Sequence, residues 1–327
     1  MSDNFIICTR AINRKKEYIP EPGISSYLMV PDDKLPTPEA SIKSNKWFLE
    51  LRKAAIWGQD SRDNNLDRGD ILFFVHGYNN DQQIMMNRHK QLKEDLHKAG
   101  FKGAVVSFDW PSDNKALNYV EDRHDAKETA MKLVSDGIRV LAEQQKPDCS
   151  INIHILAHST GAYVVREAFD DADDAHLANN SWIVSQIVFI GADISSGSLS
   201  QGNSTTDSLY RHCVRLTNYS NLYDSVLKLS NAKRLGMAPR VGREGLPNDA
   251  PTKAVNVDCT KYFGLLNSNE KIKKLEQKEE LGTFEHSWHI GNIRFIRDLF
   301  ETLKGDFNHT VLPTREIIDG HIILMYK

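Results

Sequence analysis

Short apolar segments alternate with longer amphipathic segments along most of the chain. Five apolar segments are rich in Val, Ile and Phe and are nearly continuous, as is typical of strands buried on both faces of a sheet. These strands are predicted at Ile71–Val75, Gly103–Phe108, Ile151–Leu156, Ile187–Ile190 and Cys213–Leu216. Strands that alternate with helices favour an α/β fold, with a mostly parallel sheet covered by helices on both faces.

The amphipathic segments between these strands carry the helical period. Helices are predicted at Asp81–Ala99, Ala116–Gln145, Ser159–Asp170, Leu222–Arg234 and Trp288–Lys304. Weaker patterns predict further strands at Phe5–Cys8, Ser26–Val30 and Val255–Asp258. Two stretches rich in Ser, Gly or Pro, Ser195–Ser208 and Leu235–Thr252, predict loops over one end of the sheet. Residues 31–68 and the tail after Asp306 show no assignable pattern.

Composition excludes several classes of function. The 327 residues include 41 basic and 44 acidic side chains, a net charge of −3, so no electrostatic signal for nucleic acid is present. The start of the chain lacks a signal-peptide pattern, and the longest apolar runs have the length of strands, so we expect a cytoplasmic protein without a membrane span. The four cysteines are too scattered for a metal motif.

A candidate nucleophile stands where a predicted strand meets a predicted helix. Ile151–Leu156 continues into Ala157-His158-Ser159-Thr160-Gly161, and an apolar-faced helix follows at once. A serine in such a turn, with a small residue two places to either side, is typical of the nucleophile elbow. The alternative is a serine that only caps the helix.

A second turn provides candidate donors for an oxyanion. The strand that ends at Val75 is followed by His76-Gly77-Tyr78-Asn79-Asn80. A turn of this kind offers a backbone N–H, here that of Tyr78, and the N–H of Thr160 would be the second donor. The alternative is an ordinary strand-to-helix loop. We interpret His76 as structural because it precedes Ser159 in the chain.

Several segments together resemble the α/β-hydrolase superfamily, and in particular its bacterial DUF900 branch. The resemblance rests on residues Phe74–Asn79, Phe108–Ser112, His154–Gly161, Ile190–Asp193, Asn221–Asp224 and Glu285–Trp288. It implies one α/β-hydrolase domain over residues 1–327, with the core at about 71–300, N-terminal strands at about 5–30 and a tail at about 306–327. Glu285 stands where the family usually has Gly.

The chain order of this fold restricts the catalytic base. The histidine follows both the nucleophile and the acid, which leaves His286, His289, His309 and His321. The last two lie in the tail. His286 is expected in the loop before the last long helix and His289 one turn inside it. The family's Gly-His-Ser-aromatic pattern also favours His286, with His289 in reserve.

Two aspartates are candidates for the acid. Asp193 and Asp224 both follow predicted strands. The resemblance assigns the acid to Asp224 and leaves Asp193 in reserve. An Asp193 that is not the acid is expected to hydrogen-bond loop backbone near the site.

The sequence therefore predicts a serine esterase of the carboxylesterase type, with an acyl-enzyme on Ser159 and no metal or organic cofactor. A small or lipid-like ester is the expected substrate, and thioesters and amides stay open. The near-neutral charge favours neutral or weakly charged substrates over polyanions. Trp110 and Tyr78 either line the acyl pocket or pack at the edge of the core. The alternatives are a lipase or phospholipase with an apolar lid, and a catalytically silent binding or regulatory protein of the same fold.

Overall fold

A twelve-stranded sheet organises the part of the chain that our computed structural model describes, residues 3–59, 66–112, 127–138, 149–174, 182–232, 238–306 and 308–326. The strands are β1 (Asn4–Ile12), β2 (Tyr18–Val30), β3 (Ser41–Ile42), β4 (Ile56–Gln59), β5 (Asp67–Val75), β6 (Ala104–Asp109), β7 (Cys149–His158), β8 (Val184–Ile190), β9 (Cys213–Ser220), β10 (Ala254–Asp258), β11 (Arg315–Ile318) and β12 (His321–Leu324).

The α-helices are α1 (Ser44–Ala55), α2 (Gln82–Ala99), α3 (Gly161–Asp174), α4 (Ser204–Arg211), α5 (Ser225–Ala232), α6 (Val241–Glu244), α7 (Thr260–Ser268), α8 (Glu270–Glu276), α9 (Phe284–Ser287) and α10 (Ile293–Lys304). Residues 127–133 are also helical and continue into a π-helical turn, Val134–Ile138. Short 3-10 helices cover Pro38–Ala40 and Ser196–Leu199. No helix within the described ranges has both the length and the apolar character needed to cross a membrane.

The sheet is mostly parallel, as the sequence predicts. Its order is β11-β12-β10-β9-β8-β7-β5-β6-β1-β2-β3, with β4 beside β5. The eight strands from β12 to β1 in this order run parallel, and β2, β3, β4 and β11 pair antiparallel with their neighbours. Val75 lies opposite Ala157, which lies opposite Phe189. The carboxyl ends of β5, β7 and β8 therefore meet at one edge of the sheet, where ligands of open α/β sheets bind.

Alternate residues of the central strands fill two cores. On β5, Ile71, Phe73 and Val75 face the core covered by α1, α3 and α4, and Leu72 and Phe74 face the core covered by α2, α7 and α10. All five side chains are buried. Because both faces are covered, the run Ile71–Val75 is apolar without interruption, and burying each such side chain stabilises the fold by about 1.5–3 kcal/mol.

Several predicted boundaries were wrong. The last long helix begins at Ile293, not Trp288, because the Asn292 side chain accepts the Phe295 N–H and caps it. His289 therefore lies in a turn before the helix, and His286 lies within α9.

The two predicted loops also contain helices. The 3-10 helix Ser196–Leu199 and the start of α4 fall inside 195–208, and α6 falls inside 235–252. Residues 235–237 of the second loop lie outside the described residues, as do residues 233–234 of the helix predicted at 222–234 and most of the helix predicted at 116–145.

The C-terminal tail joins the sheet through β12, which pairs with β10. A buried ion pair holds it there: Arg315 Nη2 lies 2.7 Å from Asp298 Oδ2, and neither side chain is exposed. Arg315 also donates to the Thr302 hydroxyl at 2.6 Å, and the Tyr219 hydroxyl donates to Asp298 at 2.5 Å. This network ties the tail to α10 and β9, a contact between residues far apart in the chain that no local pattern indicates.

Candidate active site

Ser159 occupies a strained turn between β7 and α3. Its φ is 56°, in the left-handed region that non-glycine residues rarely adopt. A Cβ at Gly161 would lie 2.4 Å from the Val75 carbonyl oxygen and 2.6 Å from that of His76, so a larger residue does not fit. This packing explains the small residue that the elbow requires after the serine. The first turn of α3 follows directly, and its Ala162 N–H donates to the Ser159 carbonyl oxygen at 3.1 Å.

Three side chains distant in sequence form one line of hydrogen bonds. Ser159 Oγ lies 2.8 Å from His286 Nε2, and His286 Nδ1 lies 2.7 Å from Asp224 Oδ2. All three residues are buried. With Asp224 ionised, the Nδ1–H donates to the carboxylate, which leaves Nε2 to accept the serine hydroxyl proton. The structure thus brings together the three residues that the sequence nominated as nucleophile, base and acid.

The positions of Asp224 and His286 are set by contacts within their own segments of the chain. Asp224 precedes α5, and its Oδ1 accepts the Leu227 N–H at 2.9 Å, so only Oδ2 faces His286. His286 stands on α9. The Asn221 side chain donates to the carbonyl oxygen of Glu285 at 3.1 Å and so links the acid's loop to the helix that carries the base.

The two reserve residues lie elsewhere. The Asp193 carboxylate accepts the Ser230 hydroxyl at 2.8 Å and lies 3.5 Å from Arg240 Nε. Both of these partners are side chains, and the hydrogen bond to loop backbone expected from the sequence stays a prediction. His289 is buried, its ring stacks on Trp288 with centroids 4.2 Å apart, and burial lowers its pKa well below the usual value. Neither residue takes part in the Ser159–His286–Asp224 line.

The turn after β5 lies against the nucleophile. A Cβ at Gly77 would come within 2.6 Å of Ser159 Cβ, so only glycine permits this approach. The Asn80 amide donates to the carbonyl oxygens of Gly77 and Tyr78 at 2.7 and 2.8 Å, which fixes the course of the turn. Tyr78 lines the same cleft as Ser159, and Thr160 is the next residue in the chain. The residues of both nominated oxyanion donors therefore adjoin Ser159, Thr160 along the chain and Tyr78 in the lining of the same cleft.

A buried ionic network supports this turn from behind. Asp109 pairs with Arg10 on β1 at 2.8 Å and with His76 Nε2 at 3.2 Å. Burial alone would raise the pKa of Asp109, but the charge of Arg10 and the contact with His76 lower it to about 2. Arg10 also donates to the Asn80 carbonyl oxygen at 2.9 Å. His76 is thus a structural residue in this arrangement, and β1 reaches the site through Arg10.

Trp110 belongs to this support and does not line the cleft. It is fully buried, stacks on His76 with ring centroids 5.4 Å apart and donates its indole N–H to the His76 carbonyl oxygen at 2.8 Å. Of the two aromatic pocket candidates, only Tyr78 is a cleft residue. The indole needs a hydrogen-bond acceptor when buried, and the strand end supplies it.

A cleft of about 460 Å³ opens over the triad. Ser159 and His286 line it, together with Ile84, Val226 and Leu281 as apolar groups and Arg88 as a buried cation. Arg88 is a cleft residue that was not predicted from the sequence. The available signal was a charged residue among Met85, Met86, His89 and Leu92, on the face of α2 that is buried.

Comparisons with known proteins agree with this architecture. A sequence model of the family described as "alpha/beta hydrolase of unknown function (DUF900)" matches residues 60–262, which include Ser159 and Asp224. A stretch of 62 residues is 39% identical to the uncharacterized protein alr1448 of Nostoc sp., covering 19% of this chain and 15% of that protein.

Three solved structures illustrate the structural matches. A putative cell surface hydrolase from Lactobacillus plantarum is 12% identical with a TM-score of 0.36, covering 72% of this chain and 90% of that one. A dienelactone hydrolase from Anabaena variabilis is 13% identical with a TM-score of 0.35, covering 84% and 95%. Phospholipase PlaB from Legionella pneumophila is 16% identical with a TM-score of 0.30, covering 48% and 40%. The chain spans less than half the length of PlaB and of the Nostoc protein.

Proposed function

The chain belongs to the DUF900 family of α/β hydrolases, and we propose that it is a serine esterase of the carboxylesterase type. The observation that carries this proposal is the hydrogen-bonded line from Ser159 through His286 to Asp224, with links of 2.8 and 2.7 Å. A serine that only caps a helix does not need a buried imidazole on its hydroxyl. The family membership supports hydrolysis in general, and the geometry supports serine as the nucleophile.

The proposed reaction begins when His286 Nε2 takes the hydroxyl proton of Ser159. Oγ then attacks the ester carbonyl carbon, and Asp224 stabilises the imidazolium that forms. The oxygen of the tetrahedral intermediate accepts hydrogen bonds from the backbone N–H groups of Thr160 and Tyr78. The imidazolium returns its proton to the leaving alkoxide. Water, deprotonated by His286, cleaves the acyl-enzyme in the same way and regenerates Ser159.

The shape of the site favours a small ester. A cleft of about 460 Å³ is in the usual range for small-molecule sites, roughly 300–1,000 Å³. Its apolar wall, which includes Ile84, Val226 and Leu281, suits a short acyl chain. The triad itself also accommodates thioesters and amides, which differ in the leaving group only.

A lipid-ester hydrolase is the second candidate. Leu222, Tyr223 and Leu229 lie within five residues of Asp224 in the chain and are 48%, 52% and 64% exposed. Large exposed apolar side chains that gather into a patch are typical of surfaces that contact membranes. Rates that rise with acyl length and increase above the critical micelle concentration would favour this candidate over the small-ester esterase.

Labelling with a fluorophosphonate probe tests the proposal directly. We expect the wild-type protein to be labelled and Ser159→Ala to be unlabelled, with hydrolysis of p-nitrophenyl butyrate reduced at least about a thousandfold. Ser185→Ala is the matched control, because Ser185 lies on β8 and its hydroxyl donates to the Asn152 side chain at the surface. A folded wild-type protein that the probe leaves unlabelled would instead favour a silent binding protein.

A further inference from the structure

Arg88 is a buried cation in the wall of the cleft. It stands on α2 and is 6% exposed. Its Nη1–H donates to His158 Nδ1 at 3.2 Å, and its Nη2 group donates to the Leu281 carbonyl oxygen at 2.8 Å and to the Ser287 hydroxyl at 3.3 Å. All three partners are neutral acceptors. Among the residues that the structure describes, no carboxylate pairs with Arg88, and its Nε–H has no acceptor.

The charge persists despite burial. Burial lowers the pKa of Arg88 to about 10, which still leaves the guanidinium protonated near neutral pH. His158 does not share the charge, because burial and the neighbouring Arg88 hold the pKa of its ring well below the usual value. A buried ion without a counter-ion is unfavourable, and an anion that enters the cleft would offset this cost.

Other charges around the cleft do not neutralise Arg88. Glu280 lines the cleft, but its carboxylate lies 2.8 Å from Lys273 Nζ. Asp224 is 1% exposed, lies behind His286 and is not a lining residue. The charge that the cleft presents to a substrate is therefore positive on the α2 side.

The guanidinium is also close to the reacting centre. Arg88 contacts His158, and His158 directly precedes Ser159 in the chain. On the other side, Arg88 contacts Ser287, which directly follows His286. Arg88 therefore contacts the chain neighbours of both the nucleophile and the base, and it lines the same cleft as Ser159 and His286.

We propose that Arg88 makes this site selective for esters whose acyl chain ends in a carboxylate. The inference rests on the proposed esterase function and names the substrate class. One of the two N–H groups on Nη1 has no described acceptor, so Arg88 can still donate a charge-assisted hydrogen bond to a carboxylate in the cleft. A single negative charge also agrees with the overall charge of −3, which disfavours only polyanions.

The test compares two esters that differ in charge at the end of the acyl chain. We would measure kcat/KM for p-nitrophenyl hydrogen adipate and for p-nitrophenyl hexanoate, which has the same number of acyl carbons. The wild-type protein should prefer the adipate ester. In Arg88→Gln the ratio of the two values should fall at least about tenfold, or about 1.4 kcal/mol, and Arg88→Lys should retain part of the preference.

Lys98→Gln is the matched control, since Lys98 also lies on α2 but is exposed and pairs with Glu94. It changes the net charge equally and should leave the ratio unchanged. A folded Arg88→Gln that slows both esters equally would overturn the inference and leave Arg88 a structural residue. If Arg88→Gln does not fold, the wild-type protein provides the test by itself: a kcat/KM for the adipate ester that is no higher than that for the hexanoate ester overturns the inference.

A binding measurement tests this inference independently of the esterase proposal. Calorimetric titration of Ser159→Ala with monoethyl adipate and with ethyl hexanoate needs no turnover. Tighter binding of the anionic ester, abolished by adding Arg88→Gln, would support the inference even if no ester is hydrolysed. Equal binding of the two esters by Ser159→Ala would overturn it even if the wild-type protein is an active esterase.

Discussion

Replacing Asp224 with asparagine should abolish turnover while the protein stays folded. The reason is the orientation that the structure imposes on the new amide. The Leu227 N–H donates to Oδ1 at 2.9 Å, so the amide oxygen of the introduced asparagine must take that position. The amide NH₂ group then occupies the position of Oδ2, which lies 2.7 Å from His286 Nδ1.

An NH₂ group at this position donates to His286 Nδ1 and reverses the tautomer. The ring proton moves to Nε2, which faces Ser159 Oγ at 2.8 Å and can no longer accept the hydroxyl proton. Loss of the correct tautomer costs about 10⁴-fold in kcat in a triad of this kind, about 5.5 kcal/mol in the activation barrier. Asparagine caps a helix about as well as aspartate, so the free energy of unfolding should change by no more than about 1 kcal/mol.

The assay is p-nitrophenyl butyrate hydrolysis together with urea unfolding of the same samples. Asp193→Asn is the matched control: it removes the same charge from the reserve acid, whose carboxylate contacts Ser230 and Arg240, and it should retain most of the wild-type kcat. The reasoning is refuted if Asp224→Asn keeps more than a tenth of the activity, or if Asp193→Asn is the more damaging change.

Three further predictions concern stability. Gly161→Ala would place a Cβ 2.4 Å from a carbonyl oxygen at the end of β5, so we expect a lower midpoint of thermal unfolding and loss of activity, whereas Gly58→Ala, which meets no atom within 4 Å, should alter neither. Burial lowers the pKa of His89 to about 3 from a usual 6.5, so the unfolded chain binds a proton that the folded protein excludes. The contribution of His89 to the free energy of unfolding is complete above pH 6.5 and declines as the pH falls towards 3. Between pH 6.5 and 5 the wild-type protein should therefore lose up to about 2 kcal/mol more unfolding free energy than His89→Gln. Arg315→Met leaves a buried carboxylate alone and should cost about 3–5 kcal/mol in urea unfolding, whereas Lys304→Met, at an exposed pair, should cost less than about 1 kcal/mol.

A specific result would contradict each of these three predictions. A Gly161→Ala protein with wild-type activity would mean that the elbow relaxes around a methyl group. An equal pH dependence of unfolding in wild type and His89→Gln would show that other groups take up the protons. Equal losses of unfolding free energy in Arg315→Met and Lys304→Met would show that the buried ion pair does not hold β11 and β12 in place.

The central strands and the serine elbow were predictable because each is encoded by residues that are neighbours in the chain. A strand segment covered on both faces is mostly apolar, and an elbow must have small residues around its serine. These requirements are readable in Ile71–Val75 and in Ala157–Gly161 without knowledge of any contact. The predicted mostly parallel α/β sheet follows from the alternation of such strands with helices, and the structure has it.

The helix boundaries depend on contacts of single side chains, which the pattern of apolar residues does not show. The last helix starts at Ile293 because one side chain, that of Asn292, caps it. The C-terminal tail gave no pattern at all, because its short strands are held by Arg315 and by pairing with β10 rather than by their own composition. Contacts of this kind join residues far apart in the chain and leave no periodicity behind.

The sequence by itself determined the fold class and nominated Ser159, His286 and Asp224, with reserves for the last two. Only the tertiary structure shows which of these residues hydrogen-bond to one another, because spacing along the chain does not encode the distance and direction between two side chains. The same holds for Trp110, which the fold buries against His76, and for Arg88, an ordinary helix residue in the sequence. Its charge becomes significant only because packing removes it from water and pairs it with no carboxylate among the described residues.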